Sequence, residues 1–303
     1  MEQMALRLKD IPFEFHASDI VKHVINIDSR FCEQSTSSTG SKFYFRLRTP
    51  VKNVLRIKVA SVELPNTYDL FSVYRRSVTL WFITATSPKP IPLVIPDGNY
   101  AATDIASQIA GQCAVAGSGL TWLSVGFNAI TGIFTFTGTQ PFTLNTICGT
   151  TDTYDRPYDY GLGYNLGFSR GLFPSVVSGG SNIVQSDYSA DFGGDSYVFL
   201  KVNDFHCVRQ TVDGYEFNAL AKIIVQQPKD YMTFDDYGSG LAKEVTFPTP
   251  YDLSRFKIEL LDPYGIPIDM GAARFSFSLE VLEVRNLNLY NLIRDEFAKK
   301  WLF

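Results

Sequence analysis

IDSRFCEQSTSSTGSKFYFRLRTPVKNVLRIKVASVELPN, residues 27–66, decides the fold. Two alternating segments lie in it. In the first, Phe43, Phe45 and Leu47 alternate with Tyr44, Arg46 and Arg48; in the second, Leu55, Ile57 and Val59 alternate with Arg56, Lys58 and Ala60. A period of two sends successive side chains to opposite faces, so each segment reads as a half-buried strand, apolar inside and basic outside. Pro50 has no N–H to give to a ladder, so Thr49–Asn53 is expected to connect the two strands from outside the pairing. Two such strands form the first wall of a β-sandwich or barrel.

Composition agrees. The chain of 303 residues carries 24 Phe and 16 Tyr, with frequent Gly and Pro, which favours strands and turns over helices. A net charge of −4 does not suggest a nucleic-acid binder, although it leaves room for a locally basic face. Cys32, Cys113, Cys148 and Cys207 are scattered without CxxC spacing and read as small buried hydrophobes. No secretory signal, N-x-S/T acceptor or apolar run of transmembrane length stands out.

Along the chain, residues 1–26 read as an N-terminal arm and 27–284 as the β-sandwich domain. Strands are expected over Val78–Thr84, Ile91–Ile95, Ser196–Val202, Glu216–Gln226, Phe256–Leu261 and Phe275–Val284. Ala101–Cys113 places Ile105, Ile109 and Cys113 on one side of a short helix with Asp104 near its positive end. Ser124–Asn128 and Gly132–Thr137 form a hairpin, and Pro96–Tyr100 and Asp262–Gly265 are turns by their chemistry. Residues 139–194 show no sustained period and gather Tyr154, Tyr158, Tyr160 and Tyr164 among many glycines, so they read as a loop-rich surface insertion. Residues 228–240 read as another polar, aromatic loop. Residues 285–303 close the chain as an amphipathic helix with Leu289, Leu292, Ile293, Phe297 and Trp301 on one face. The expectation is an all-β, jelly-roll-like β-sandwich with one short internal helix, a long loop insertion and a C-terminal amphipathic helix.

Catalytic chemistry is nearly absent from the pattern. His206 and Cys207 are adjacent, so on a strand they point to opposite faces rather than at each other. Asp191-Phe192-Gly193 has none of the companions a kinase needs, and Gly161–Gly167 misses the dinucleotide fingerprint by one residue. Neither the acidic residues Asp152, Asp155 and Asp159 nor the pair Asp235-Asp236 has hard-cation loop spacing. The sequence therefore calls for no catalytic residue, cofactor or metal. The basic set Arg46, Arg48, Lys52, Arg56 and Lys58 is the most concentrated charge. It serves either as a solvated strand face that discourages aggregation or as a dock for an acidic partner. The terminal helix face either packs at home or anchors in a neighbour's groove.

The order of motifs carries a resemblance. IDSRF, a Ser/Thr loop, SKFYFRLRTPVKNVLRIKVASVELPN, IPDGNY with its helix, Asn165-Leu166-Gly167-Phe168 and Tyr197–Asp204 resemble, in that order, virion proteins of large icosahedral DNA viruses, the chlorella-virus type in particular. The resemblance covers about Ile27 to Asp204, more weakly the last strands, and neither terminal segment. It implies a minor capsid protein without catalysis, located in the virion shell and assembled in host cytoplasm. Its partners would be the major capsid protein and other minor capsid proteins, with self-association also open. It implies no specific nucleic acid. A cement or bridging role, a penton-like vertex role, and a receptor- or glycan-binding role with the tyrosines as contact surface remain open at this point.

Overall fold

A computed structural model of the chain describes residues 19–33, 40–87, 89–147, 160–212, 214–226, 229, 231–235, 243–288 and 290–291. In chain order its strands begin with β1 (Ile20–Asp28), β2 (Lys42–Pro65), β3 (Thr79–Thr84) and β4 (Ile91–Val94). After helix α1 (Ala102–Ala114) come β5 (Leu123–Asn128), β6 (Ile133–Gly138) and β7 (Phe142–Asn145). The short helix α2 (Gly161–Asn165) precedes β8 (Leu172–Pro174), β9 (Val176–Ser178) and β10 (Ser181–Gln185). Next are β11 (Tyr197–Val202), β12 (Val208–Val212), β13 (Tyr215–Ala219) and β14 (Ala221–Ile224). The last three are β15 (Met232–Asp235), β16 (Glu244–Leu261) and β17 (Ser276–Val284). The fold is all-β and jelly-roll-like.

The chain divides into two units. One is built from the residues up to Thr67 together with those from Asp195 onward; the other is the continuous stretch Tyr68–Gly194. This differs from a single sandwich over 27–284.

The first unit holds a seven-stranded sheet in the order β1-β17-β2-β16-β11-β14, with β15 also on β2. The decisive stretch is one long strand here, not two strands around a connection. Pro50 lies within β2, and Val51 and Val54 are in register with Leu253 and Tyr251 of β16. The buried residues Val54, Ile57, Val59, Val62 and Leu64 do not keep one parity, because it flips after Val54 and again after Val59. The register against β17 slips at the same two places. Arg56 and Val54 face the consecutive Leu282 and Glu283, while Ser61 and Val59 face Ser278 and Leu279, which leaves Leu55 and Ala60 as extra residues. Each bulge inserts one residue and returns the next apolar side chain to the core face. Leu55, expected inside, is accordingly only half-buried.

The second unit is a sandwich in its own right. Its sheets, β4-β3-β7-β8 and β5-β6-β10-β9, share one core to which Phe82 and Leu144 come from one sheet and Phe134 and Phe136 from the other. Phe82 meets Phe136 edge-on at 5.5 Å between centroids, a favoured aromatic geometry. Helix α1 adds Ile105, Ile109 and Cys113 to that core, as its spacing predicts. The Pro96–Tyr100 turn holds a neighbouring loop: Asp97 and Asn99 accept from the backbone N–H of Val73 and Leu70 at 2.9 and 2.8 Å.

Several expectations need correction. Residues 139–194, expected as a loop-rich surface insertion, contain β7 to β10 and α2 and belong to the second unit; only 148–159 of them fall outside the described residues. The aperiodic look has a cause. These strands are three to five residues long, too short for a period to show. The N-terminal arm ends earlier than residue 26, because β1 starts at Ile20 and pairs along its whole length with β17. Glu216–Gln226 is split at Leu220 into β13 and β14, which pair with different strands. The loop 228–240 contains β15, which pairs with the end of β2.

Candidate functional site: a cation-rich sheet face

Strand register places the basic residues. In the pairs Lys42–Glu259, Tyr44–Lys257 and Arg46–Arg255, β2 lies against β16, and in Lys201–Glu259, β11 lies against β16. Lys58 pairs with both Glu244 and Glu280, and Val24 of β1 pairs with Glu280 beside Lys22. Directly opposed residues share a face, so five strands contribute to one surface. Lys22, Lys42, Arg46, Arg56, Lys58, Lys201, Arg255 and Lys257 stand on it, opposite to the buried Phe43, Ile57, Val59, Phe256 and Ile258.

The cations are organised around a few carboxylates. Glu259, 8% exposed, receives Lys42 at 3.1 Å, Lys257 at 3.2 Å and Lys201 at 3.6 Å. Burial pushes its carboxyl up, but the hydrogen bonds from Lys42 and Lys257 and the charges of Lys257 and Lys201 outweigh that and hold it below the ordinary value. Glu280 is held low first by its hydrogen bond from Lys22 at 2.8 Å, and further by the charges of Lys22, Lys58 and Arg56. Glu33 bridges Arg46 at 3.0 Å and Arg255 at 3.2 Å, and the Arg255 guanidinium lies 4.0 Å above the Tyr44 ring. In each cluster cations outnumber the carboxylate, so the face keeps a positive surplus on an acidic chain.

Glu259→Gln is expected to lower unfolding free energy by about 1–2 kcal/mol at neutral pH, the loss expected on breaking a buried pair, reduced because the three lysines are partly exposed. The pH dependence has a definite sign. A carboxyl held below its unfolded value of 4.5 stabilises fully above that value, and the contribution is lost as pH falls through the lower folded value. Urea melts of wild type and variant should therefore differ at pH 7 and converge in acid.

The structure sorts the residues expected to form an interface. Arg46, Arg56 and Lys58 lie on the face, each beside a carboxylate. Arg48 and Lys52 are exposed in the irregular part of β2 and, among the described residues, make no ion pair. Tyr160 is committed to the fold, its hydroxyl donating to the Arg75 carbonyl at 2.9 Å, whereas Tyr164 is exposed. Tyr154, Tyr158, Leu289, Leu292, Ile293, Phe297 and Trp301 lie outside the described residues. Lys22, Lys42, Lys201, Arg255 and Lys257 were not anticipated. Lys257 and Glu259 alternate visibly with Phe256, Ile258 and Leu260, but only the pairing shows that they share a surface with Arg46.

Elsewhere the chemistry is quiet. His206 Nδ1 lies 3.0 Å from the Asp204 carbonyl, while the Cys207 thiol donates to the Leu220 carbonyl, so the two side chains do not meet. Burial pushes the Cys113 thiol up to about 11. Asp191 closes a local turn by accepting from the Gly193 N–H at 2.8 Å. Among the described residues no cluster of His, Cys, Asp or Glu could hold a metal ion, and no helix is long and apolar enough to cross a membrane.

No protein-family model matches the chain, and no curated protein does. Among solved structures it is similar to the mavirus penton protein, seen in its selenomethionine-labelled crystal structure. The TM-score is 0.43 at 10% identity, over 87% of this chain and 99% of that one.

Proposed function

We propose that this chain is a minor capsid protein that bridges or cements the capsomers of a large icosahedral DNA virus. The observation that carries the reading is the ordered run of motifs from residue 27 to 204 that resembles virion proteins of such viruses. Within this chain the motifs have defined structural roles. In IDSRF, Asp28 closes a short turn by accepting from the Arg30 N–H at 2.8 Å, and Ser29 ties that turn to Phe275. In Asn165–Phe168, two side chains enter the core and Gly167 allows a close backbone crossing.

The cation-rich face supplies a docking surface. It is spread over five strands whose backbone is fixed by sheet hydrogen bonds, so the ordering cost of binding falls on the side chains alone. Its surplus suits an acidic patch on a capsomer, and association through it is salt-dependent.

The experiment is cross-linking mass spectrometry on intact particles, followed by binding of the purified chain to purified capsomers. Links from Lys22, Lys58, Lys201 or Lys257 to the major capsid protein support the reading. So does a fall in affinity of about tenfold or more for the double variant Lys58→Glu/Lys257→Glu. Absence of the chain from particles, or capsomer binding indifferent to both salt and the charge reversals, would overturn it.

A further inference from the structure

A groove of about 470 Å³ opens on the second unit between residues 164–169 and 188–191. It falls within the size range of small-ligand sites, roughly 300–1,000 Å³. Its walls are set by two backbone bonds, Tyr188 N–H to Gly167 C=O at 2.9 Å and Asp191 N–H to Asn165 C=O at 2.9 Å, and by the Asn165 side chain, whose Nδ2–H donates to the Asp191 C=O at 3.0 Å. Phe168, also in the lining, is fully buried and packs on Phe136 and Phe173, which anchors the site to the core. The groove is thus built before any ligand arrives.

The Ser169 hydroxyl is spent on Asp187, but other polar groups of the groove are uncommitted. Tyr164 and Tyr188 are 43% and 68% exposed, and among the described residues neither hydroxyl has a protein partner. The Ser189 hydroxyl is likewise unused. Asp191 spends Oδ1 on the Gly193 N–H, and Oδ2 has no protein donor among the described residues. Two large aromatic side chains held at the surface beside unused hydroxyls and a carboxylate are not explained by the packing of the unit.

We infer that this groove binds a neutral saccharide. The chemistry selects among ligand classes. No cation lines the groove, so a phosphate, sulfate or sialyl group would meet the Asp191 carboxylate uncompensated. A purely apolar ligand would cover four polar groups and satisfy none. An ammonium or guanidinium group would suit Asp191 and the tyrosine faces, but it carries no acceptor for three hydroxyl donors. A pyranose offers C–H faces to lie on the tyrosine rings and a rim of hydroxyls that both donate and accept. The inference stands on the groove alone and is independent of the capsid reading.

The test is a glycan array carrying neutral, sialylated and sulfated glycans, probed with the full chain, with the best neutral hit then titrated in solution. Binding is expected to be confined to neutral glycans. Tyr188→Ala is expected to weaken it about tenfold, the scale of one lost aromatic contact, with Tyr188→Phe retaining part of the affinity. Asp191→Asn keeps the acceptor for Gly193 and should weaken binding without changing the melting temperature. No neutral glycan bound by folded wild type, a preference for anionic glycans or for tetramethylammonium as competitor, or affinity unchanged in Tyr164→Ala/Tyr188→Ala would each overturn the assignment.

Discussion

Gly167→Ala is expected to cost about 4 kcal/mol or more of unfolding free energy, at the exceptional end for a point substitution. Gly167 sits at φ 90°, and a Cβ there would lie 2.1 Å from the Tyr188 carbonyl oxygen and 2.9 Å from its carbon. Both are backbone atoms, so no side chain can swing aside. Relief would require parting the 164–169 and 188–191 segments and breaking the Tyr188–Gly167 hydrogen bond. Leu166 and Phe168 on either side would then be drawn from the core. Gly117→Ala is the control. It has a similar φ of 87° with nothing within 4 Å of the added carbon, so only the left-handed backbone penalty of roughly 1–2 kcal/mol applies. Urea unfolding of both variants measures the difference, and equal losses would show that close approach is not the cause.

Phe82→Ala is expected to cost about 3–5 kcal/mol. Its ring is fully buried between the two sheets of the second unit, 5.5 Å from the Phe136 ring and 6.1 Å from that of Phe142. Its removal leaves a cavity that three more phenylalanines of that core cannot fill without leaving their rotamers. Phe31→Ala, at a side chain 73% exposed, should be nearly neutral by comparison. Chemical denaturation followed by tryptophan emission would separate the two, Trp122 lying against Phe142 in the same cluster.

Elements whose signal is local were legible in the sequence. The spacing of Ile105, Ile109 and Cys113 gives α1, the alternation of Phe277, Leu279 and Val281 gives β17, and Asp262 with Gly265 gives the turn that ends β16. Features that depend on a partner strand were not. The bulges at Leu55 and Ala60 appear in sequence only as a lapse of alternation, and it takes β17 to show that they are register corrections. The division into two units was hidden because β7 to β10 are too short to show a period. In the candidate face, Arg46, Arg56 and Lys58 were visible, but Glu259 and the lysines around it come from strands far along the chain. Tyr188, the more exposed wall of the groove, stands alone in sequence and reaches Tyr164 only through the Gly167 crossing.

The division of the chain sets an order of events during synthesis. The second unit is one continuous stretch, so it can close on itself as soon as Gly194 has emerged. β1 and β2 are made before it, yet their neighbours β16 and β17 are translated only after it. For most of the time on the ribosome, β2 therefore carries an apolar face and two open edges with nothing native to pair with, a state prone to intermolecular pairing. Arg46, Arg48, Lys52, Arg56 and Lys58 repel a second nascent copy of the same strand throughout that wait. Glu244 and Glu280, the carboxylates beside Arg56 and Lys58, arrive only with the strands that end it.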